Sequence, residues 1–119
     1  MSDNVYWLIE VAIKSGEFDN FNAVMKEMIE DTRSNEPNTL NYEWAITEDN
    51  QSCHIYERYS DSAAAMTHLK AFGEKFAERF MAAVAVTRLV VYGTPNHEVK
   101  EALGGPSTVF MTPFGGFAR

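Results

Sequence analysis

Residues 53–69 read Cys53-His54-Ile55-Tyr56-Glu57-Arg58-Tyr59 and then Ser60-Asp61-Ser62-Ala63-Ala64-Ala65-Met66-Thr67-His68-Leu69. The first seven predict a strand, because Ile and Tyr at close spacing suit a pleated, half-buried surface. Ser60 or Asp61 can then accept the free N–H groups of a helix start, and the three alanines favour the helix itself. Further on, Met66, Leu69, Phe72, Phe76 and Phe80 recur at intervals of three and four, which predicts one apolar stripe. His68 stands four residues before Phe72, so its imidazole is expected beside that stripe. Any chemistry is expected there.

On the N-terminal side, Thr39 to Thr47 alternates, with Leu40, Tyr42, Trp44 and Ile46 on one face and Asn41, Glu43, Ala45 and Thr47 on the other. Glu48-Asp49-Asn50-Gln51 supplies a turn, so this strand and the one from Cys53 form a hairpin. Before it, Phe18, Phe21, Val24, Met25, Met28 and Ile29 follow helical spacing, and the helix stops ahead of Pro37. Val5 to Ile13 is a strand apolar on both faces, interrupted by Glu10 alone, and a strand of that kind needs cover on both sides.

On the C-terminal side, the helical region from Ser62 to about Ala83 is predicted in two parts with a break at Gly73. Val84 to Tyr92 is a β-branched strand. The order strand, helix, strand, strand, helix, strand is that of a ferredoxin-like split βαβ fold: α+β, with an antiparallel sheet and both helices on one face. The bare face calls for a cover, and the simplest is the same face of a second copy. A single domain over 1–119 is expected, with a core of about residues 5–92 and a C-terminal extension over 93–119. Glu98 to Leu103 predicts a short helical turn and Thr108 to Met111 a fifth strand. With Phe114 and Phe117, this apolar tail is expected to lie on the neighbouring subunit as an exchanged strand.

A length of 119 residues fits one domain, and 45% hydrophobic with 13% aromatic residues is enough for a packed core. The net charge of −7 argues against nucleic acid and anionic membrane as partners. A single cysteine rules out an internal disulfide framework. Met-Ser-Asp-Asn lacks the basic start of a signal peptide, and the apolar run Met81 to Val86 is too short to span a bilayer, so a cytoplasmic location is expected.

The segment Ile55-Tyr56-Glu57-Arg58-Tyr59-Ser60-Asp61-Ser62-Ala63-Ala64, with His68 after it and Asn41-Tyr42-Glu43-Trp44 before it, resembles the signature of the antibiotic-biosynthesis monooxygenase (ABM) superfamily. The resemblance covers Val5 to about Tyr92, and the tail is similar to that of quinol-monooxygenase-like members. It implies a dimeric α+β barrel, each subunit with a pocket between sheet and helices. It also implies oxygenation of phenolic or quinol-like compounds with no metal, flavin or haem cofactor. Haem-degrading relatives carry Trp where His68 stands, a later haem-ligating His, and an Asn in the first strand. This chain has Phe76-Ala77-Glu78-Arg79-Phe80 in the later region and no Asn between Val5 and Ile13, so haem is not expected.

Cofactor-free oxygenation needs a substrate anion that can reduce O2 directly, held in a dry pocket. An imidazole titrating near neutrality suits removal of a phenol or enol proton, which makes His68 the candidate catalytic base. Trp44, Phe72 and Phe76 would supply an aromatic, water-poor wall for the substrate. Glu57, on the same strand face as Cys53, Ile55 and Tyr59, could orient His68 or a substrate hydroxyl; a Glu beside Arg58 and before a helix cap is more often structural. Cys53 and His54 point to opposite faces and make no dyad. His54, His68 and His97 lack metal-ligand spacing, and Gly104-Gly105-Pro106 lacks that of a phosphate loop. The expected partners are a small aromatic molecule, O2 and a second copy of the chain. The expected function is base-assisted, cofactor-independent monooxygenation of a quinol, anthrone or other enolisable compound. The alternatives are isomerisation or breakdown of a small signalling metabolite, and a non-catalytic ligand-binding dimer.

Overall fold

The computed structural model describes residues 2–119. Its elements run β1 (Val5–Ile13), α1 (Phe18–Asn35), β2 (Thr39–Ile46), β3 (Ser52–Tyr59), α2 (Ser62–Lys75), α3 (Ala77–Ala83), β4 (Val84–Gly93), α4 (His97–Leu103) and β5 (Thr108–Met111). The sheet order is β2-β3-β1-β4-β5, so the N-terminal strand lies at the centre, as its apolar faces require. The fold is the ferredoxin-like α+β arrangement.

The hairpin from β2 to β3 closes on a bond from the Thr47 N–H to the Ser52 carbonyl at 2.9 Å. Its turn places Asn50 at φ 59°, a left-handed conformation that Asn tolerates because its short side chain can bond locally. Asp61 caps α2 by accepting from the Ala64 N–H at 2.8 Å, as the Ser-Asp-Ser-Ala run predicts. Asn96 caps α4 in the same way through Val99.

Three features differ from the sequence expectation. The sheet is mixed rather than antiparallel, because β5 pairs in parallel with β4, from Leu89↔Thr108 to Tyr92↔Met111. The strand expected on a neighbouring subunit thus lies on its own sheet, where α4 provides the crossover a parallel neighbour needs. Beyond it, Phe114 and Phe117 are fully exposed or nearly so. The helical break falls at Phe76 (φ −130°, ψ −18°), not at Gly73. A lone glycine costs a helix only about 1 kcal/mol and does not end it. The bend instead lets Phe72 and Phe80 meet edge to face across it, at 5.6 Å between centroids. Finally, the buried residues of α2 are Ala64, Ala65 and His68, while Met66, Leu69, Phe72 and Phe76 are half-buried. His68 is at the centre of the packed face, not beside it.

The core lies between the helices and one face of the sheet. Val5, Trp7 and Val11 of β1, Ile55 and Tyr59 of β3, and Leu89 and Val91 of β4 are buried there. On the opposite face Tyr6 stacks on Tyr92 at 5.1 Å with Tyr56 edge-on at 6.4 Å, and among the described residues no helix packs over them.

Candidate active site

Three elements bring two carboxylates and one imidazole together. Glu57 projects from β3 toward the helices, because Tyr42↔Glu57 pairing sets it on the face shared with Ile55 and Tyr59. His68 comes from the second turn of α2. Glu36 follows the last residue of α1, where its backbone N–H bonds to the Thr32 carbonyl. All three are buried: Glu36 is 7%, Glu57 7% and His68 5% exposed.

The imidazole spans the two acids. Nδ1 bonds to Glu36 Oε1 at 2.9 Å, and Nε2 forms an ion pair with Glu57 Oε1 at 3.2 Å. Each carboxylate has a further donor: Thr39 Oγ1 to Glu36 Oε1 at 3.1 Å, and the Tyr59 hydroxyl to Glu57 Oε1 at 2.6 Å. Both partners of Glu57 sit on Oε1, and among the described residues none bonds to Oε2. Tyr42 and Tyr59 flank the ring, at 5.2 Å and 5.3 Å between centroids.

Burial alone would drive the His68 pKa down, because it disfavours charge. The bond to Glu36, the contact with Glu57 and the negative charge of both acids outweigh it, lifting the pKa from 6.5 to about 9. That shift favours the imidazolium at neutral pH. Burial first, and then the charges of Glu57 and Glu36, push the Tyr42 phenol far above its ordinary range, so it stays a hydrogen-bond donor. Tyr59 is raised by the same causes. A folded-state pKa above the unfolded one gives stability that is complete below about 6.5 and lost as pH rises through about 9. Melting temperature is therefore expected to fall across that window in the native chain, and to fall less in Glu36→Gln. Identical pH profiles for the two chains would contradict the assignment.

Glu57 and His68, but not Glu36, line a cavity of about 120 Å³. Glu57, His68 and Tyr42 are its polar lining, and Trp7, Ile9, Met28, Ile55, Phe72 and Leu89 are among its apolar walls. Of the residues singled out from sequence, His68, Glu57 and Phe72 meet here. Trp44 and Phe76 do not line it. Trp44 packs on Phe21 and Phe80, at 5.7 Å and 6.1 Å, with its indole Nε1 buried and unbonded. Phe76, at the helical break, packs against the same core cluster. A carboxylate faces each nitrogen of the His68 ring, and both His68 and Glu57 line the cavity.

Glu36, Tyr42, Tyr59 and Trp7 were not singled out from sequence as site residues. Glu36 alone carried a signal. A carboxylate at a helix C-terminus opposes the negative end of the helix dipole, so a local rule is broken there. Among the described residues no group of three or more potential ligands is arranged to hold a metal.

A small apolar cavity with a buried acid–base cluster on its wall lies between the sheet and helices of a ferredoxin-like domain. The family described as antibiotic biosynthesis monooxygenase matches residues 4–85, and the chain belongs to it. Among solved structures, MupZ from Pseudomonas fluorescens is 25% identical with a TM-score of 0.80, over 100% of this chain and 91% of that one. The C-terminal α4 and β5, outside the family match, are within that likeness. SnoaB from Streptomyces nogalater, a cofactor-independent oxygenase, is 14% identical with a TM-score of 0.66, over 80% and 96%. At that identity it supports the fold alone. None of the curated proteins matches the chain.

Proposed function

We propose that the chain is a cofactor-independent monooxygenase acting on a small quinol, anthrone or other enolisable compound. The observation that carries this reading is the Glu57 carboxylate beside the His68 imidazolium on the wall of an otherwise apolar cavity. Glu57 takes the phenol or enol proton, and the His68 cation offsets the negative charge that develops on the substrate. Phe72 and Trp7 keep water from that charge. The substrate anion gives its electrons to O2 and a carbon–oxygen bond forms. The peroxide takes its proton back from Glu57; the remaining C–H bond at that carbon and the O–O bond then break, which leaves one oxygen as a carbonyl and releases the other as water with the C–H proton. All four electrons that reduce O2 come from the substrate, so the reaction needs no metal, flavin or haem.

Oxygen uptake with a panel of hydroquinones tests this. Uptake is expected to depend on the protein and to be lost in His68→Ala; no protein-dependent uptake, or an unchanged rate in the variant, would end the proposal. An acid and a base side by side also suit proton transfer without O2, which favours isomerisation or breakdown of a small metabolite as a second reading. Turnover that persists when air is excluded would select it. A non-catalytic, ligand-binding role would show ligand retention in His68→Ala and no product in either chain.

On the same reading a second copy covers the bare sheet face around Tyr6, Leu8, Tyr56 and Tyr92, and the chain beyond β5, with Phe114 and Phe117, lies on that partner. Static light scattering is expected to give twice the mass of one chain, and a monomer at micromolar concentration would contradict it. Among the described residues no helix is long and apolar enough to cross a membrane. The cytoplasm is the compartment proposed.

A further inference from the structure

We infer that the cavity is built for an uncharged molecule the size of a single ring, with its hydroxyl at Glu57 and His68, and that Leu103 sets the upper limit on size. This narrows the substrate class within the oxygenase reading and rests on the same site.

Size follows from the volume. About 120 Å³ is close to the roughly 150 Å³ of an apolar protein cavity that takes up one benzene. A hydroquinone with a small substituent fits that space, whereas the three fused rings of an anthrone do not. The limiting wall is identifiable. Ile9, Ile55 and Leu89 are on the central strands and Phe72 packs against Phe80, so these positions are held by the sheet and the core. Leu103 is different: it is the half-buried last residue of the seven-residue α4, directly before Gly104-Gly105, and it lies outside the segment that matches the family.

Charge follows from the polar corner. Two carboxylates, Glu36 and Glu57, face the single imidazole of His68 in a buried setting, at 2.9 Å and 3.2 Å. No Lys or Arg lines the cavity among the described residues. A carboxylate or phosphate on the ligand would lose its water with no cation to meet it. Deprotonation inside the cavity is a different matter. The proton stays on Glu57 and the total charge does not change.

Calorimetric titration under nitrogen separates binding from turnover. The full-length chain is titrated with methylhydroquinone, with gentisate (a similar hydroquinone ring bearing a carboxylate) and with anthrone. Methylhydroquinone is expected to bind saturably, gentisate at least about tenfold more weakly, and anthrone only to Leu103→Ala. Leu69→Ala, which enlarges the same cavity from α2, serves if Leu103→Ala melts below the assay temperature. The inference is overturned if methylhydroquinone does not bind, if gentisate binds as tightly, or if anthrone binds the native chain. It is equally overturned if neither folded variant gains anthrone binding. Selective binding of methylhydroquinone with no oxygen uptake in air would leave the size and charge assignment standing and remove the oxygenase reading alone.

Discussion

Glu57→Gln is expected to lower quinol-dependent oxygen uptake by about 10²–10⁴-fold, the range over which a positioned proton acceptor contributes. The substitution changes little else. A glutamine carbonyl can still accept from the Tyr59 hydroxyl, which reaches Glu57 Oε1 at 2.6 Å in the native chain. The remaining His68–Glu36 contact at 2.9 Å becomes a neutral pair, so no isolated charge is left in the interior. Folding and ligand binding should therefore survive while the rate falls. The measurement is a steady-state uptake assay alongside a binding titration of the same preparation. A rate within about threefold of native, with binding intact, would remove Glu57 from the chemistry, because a lost general base costs far more than that.

The second large effect is on stability. His68→Leu removes the only cation between two buried carboxylates, and breaking a buried charge pair by deleting one partner costs about 3–5 kcal/mol. For a chain of this size that corresponds to a fall in melting temperature of roughly 10–20 °C at pH 7. The sign of the pH effect identifies the cause. As pH rises through about 9 the native His68 loses its proton and the stability it supplies, so the gap between variant and native chain should narrow. Packing loss has no such dependence. A deficit that stays constant from pH 7 to about pH 10, or a variant as stable as the native chain, would show that the carboxylates do not depend on His68.

The elements were legible where periodicity is local. The alternation of β2, the two-faced apolar run of β1 and the capped start of α2 at Asp61 each follow from spacing within a few residues. His68 was legible as the place to look, but its surroundings were not. Glu36 is 32 positions away, and a glutamate before Pro37 reads as a solvated helix end until the fold closes over it. Which aromatic of Tyr42 and Trp44 meets the imidazole depends on how far each residue of β2 sits along β3, and on the irregular pairing between Thr39 and Asn41. Alternation puts both on one face but cannot say which stands beside α2. The break at Phe76 and the parallel seat of β5 are likewise non-local. One answers the packing of Phe72 on Phe80, and the other the free edge that β4 offers.

Chemistry at this site turns on whether the imidazole is already charged before any ligand arrives. Nitrogen-15 NMR of the His68 ring across pH 6 to 10 reads that state directly. Both ring nitrogens are expected to be protonated at pH 7, with the titration midpoint near 9 and moving toward ordinary histidine in Glu36→Gln. A ring that is neutral at pH 7 would return the basic lone pair to His68 and contradict the assignment of Glu57 as the proton acceptor.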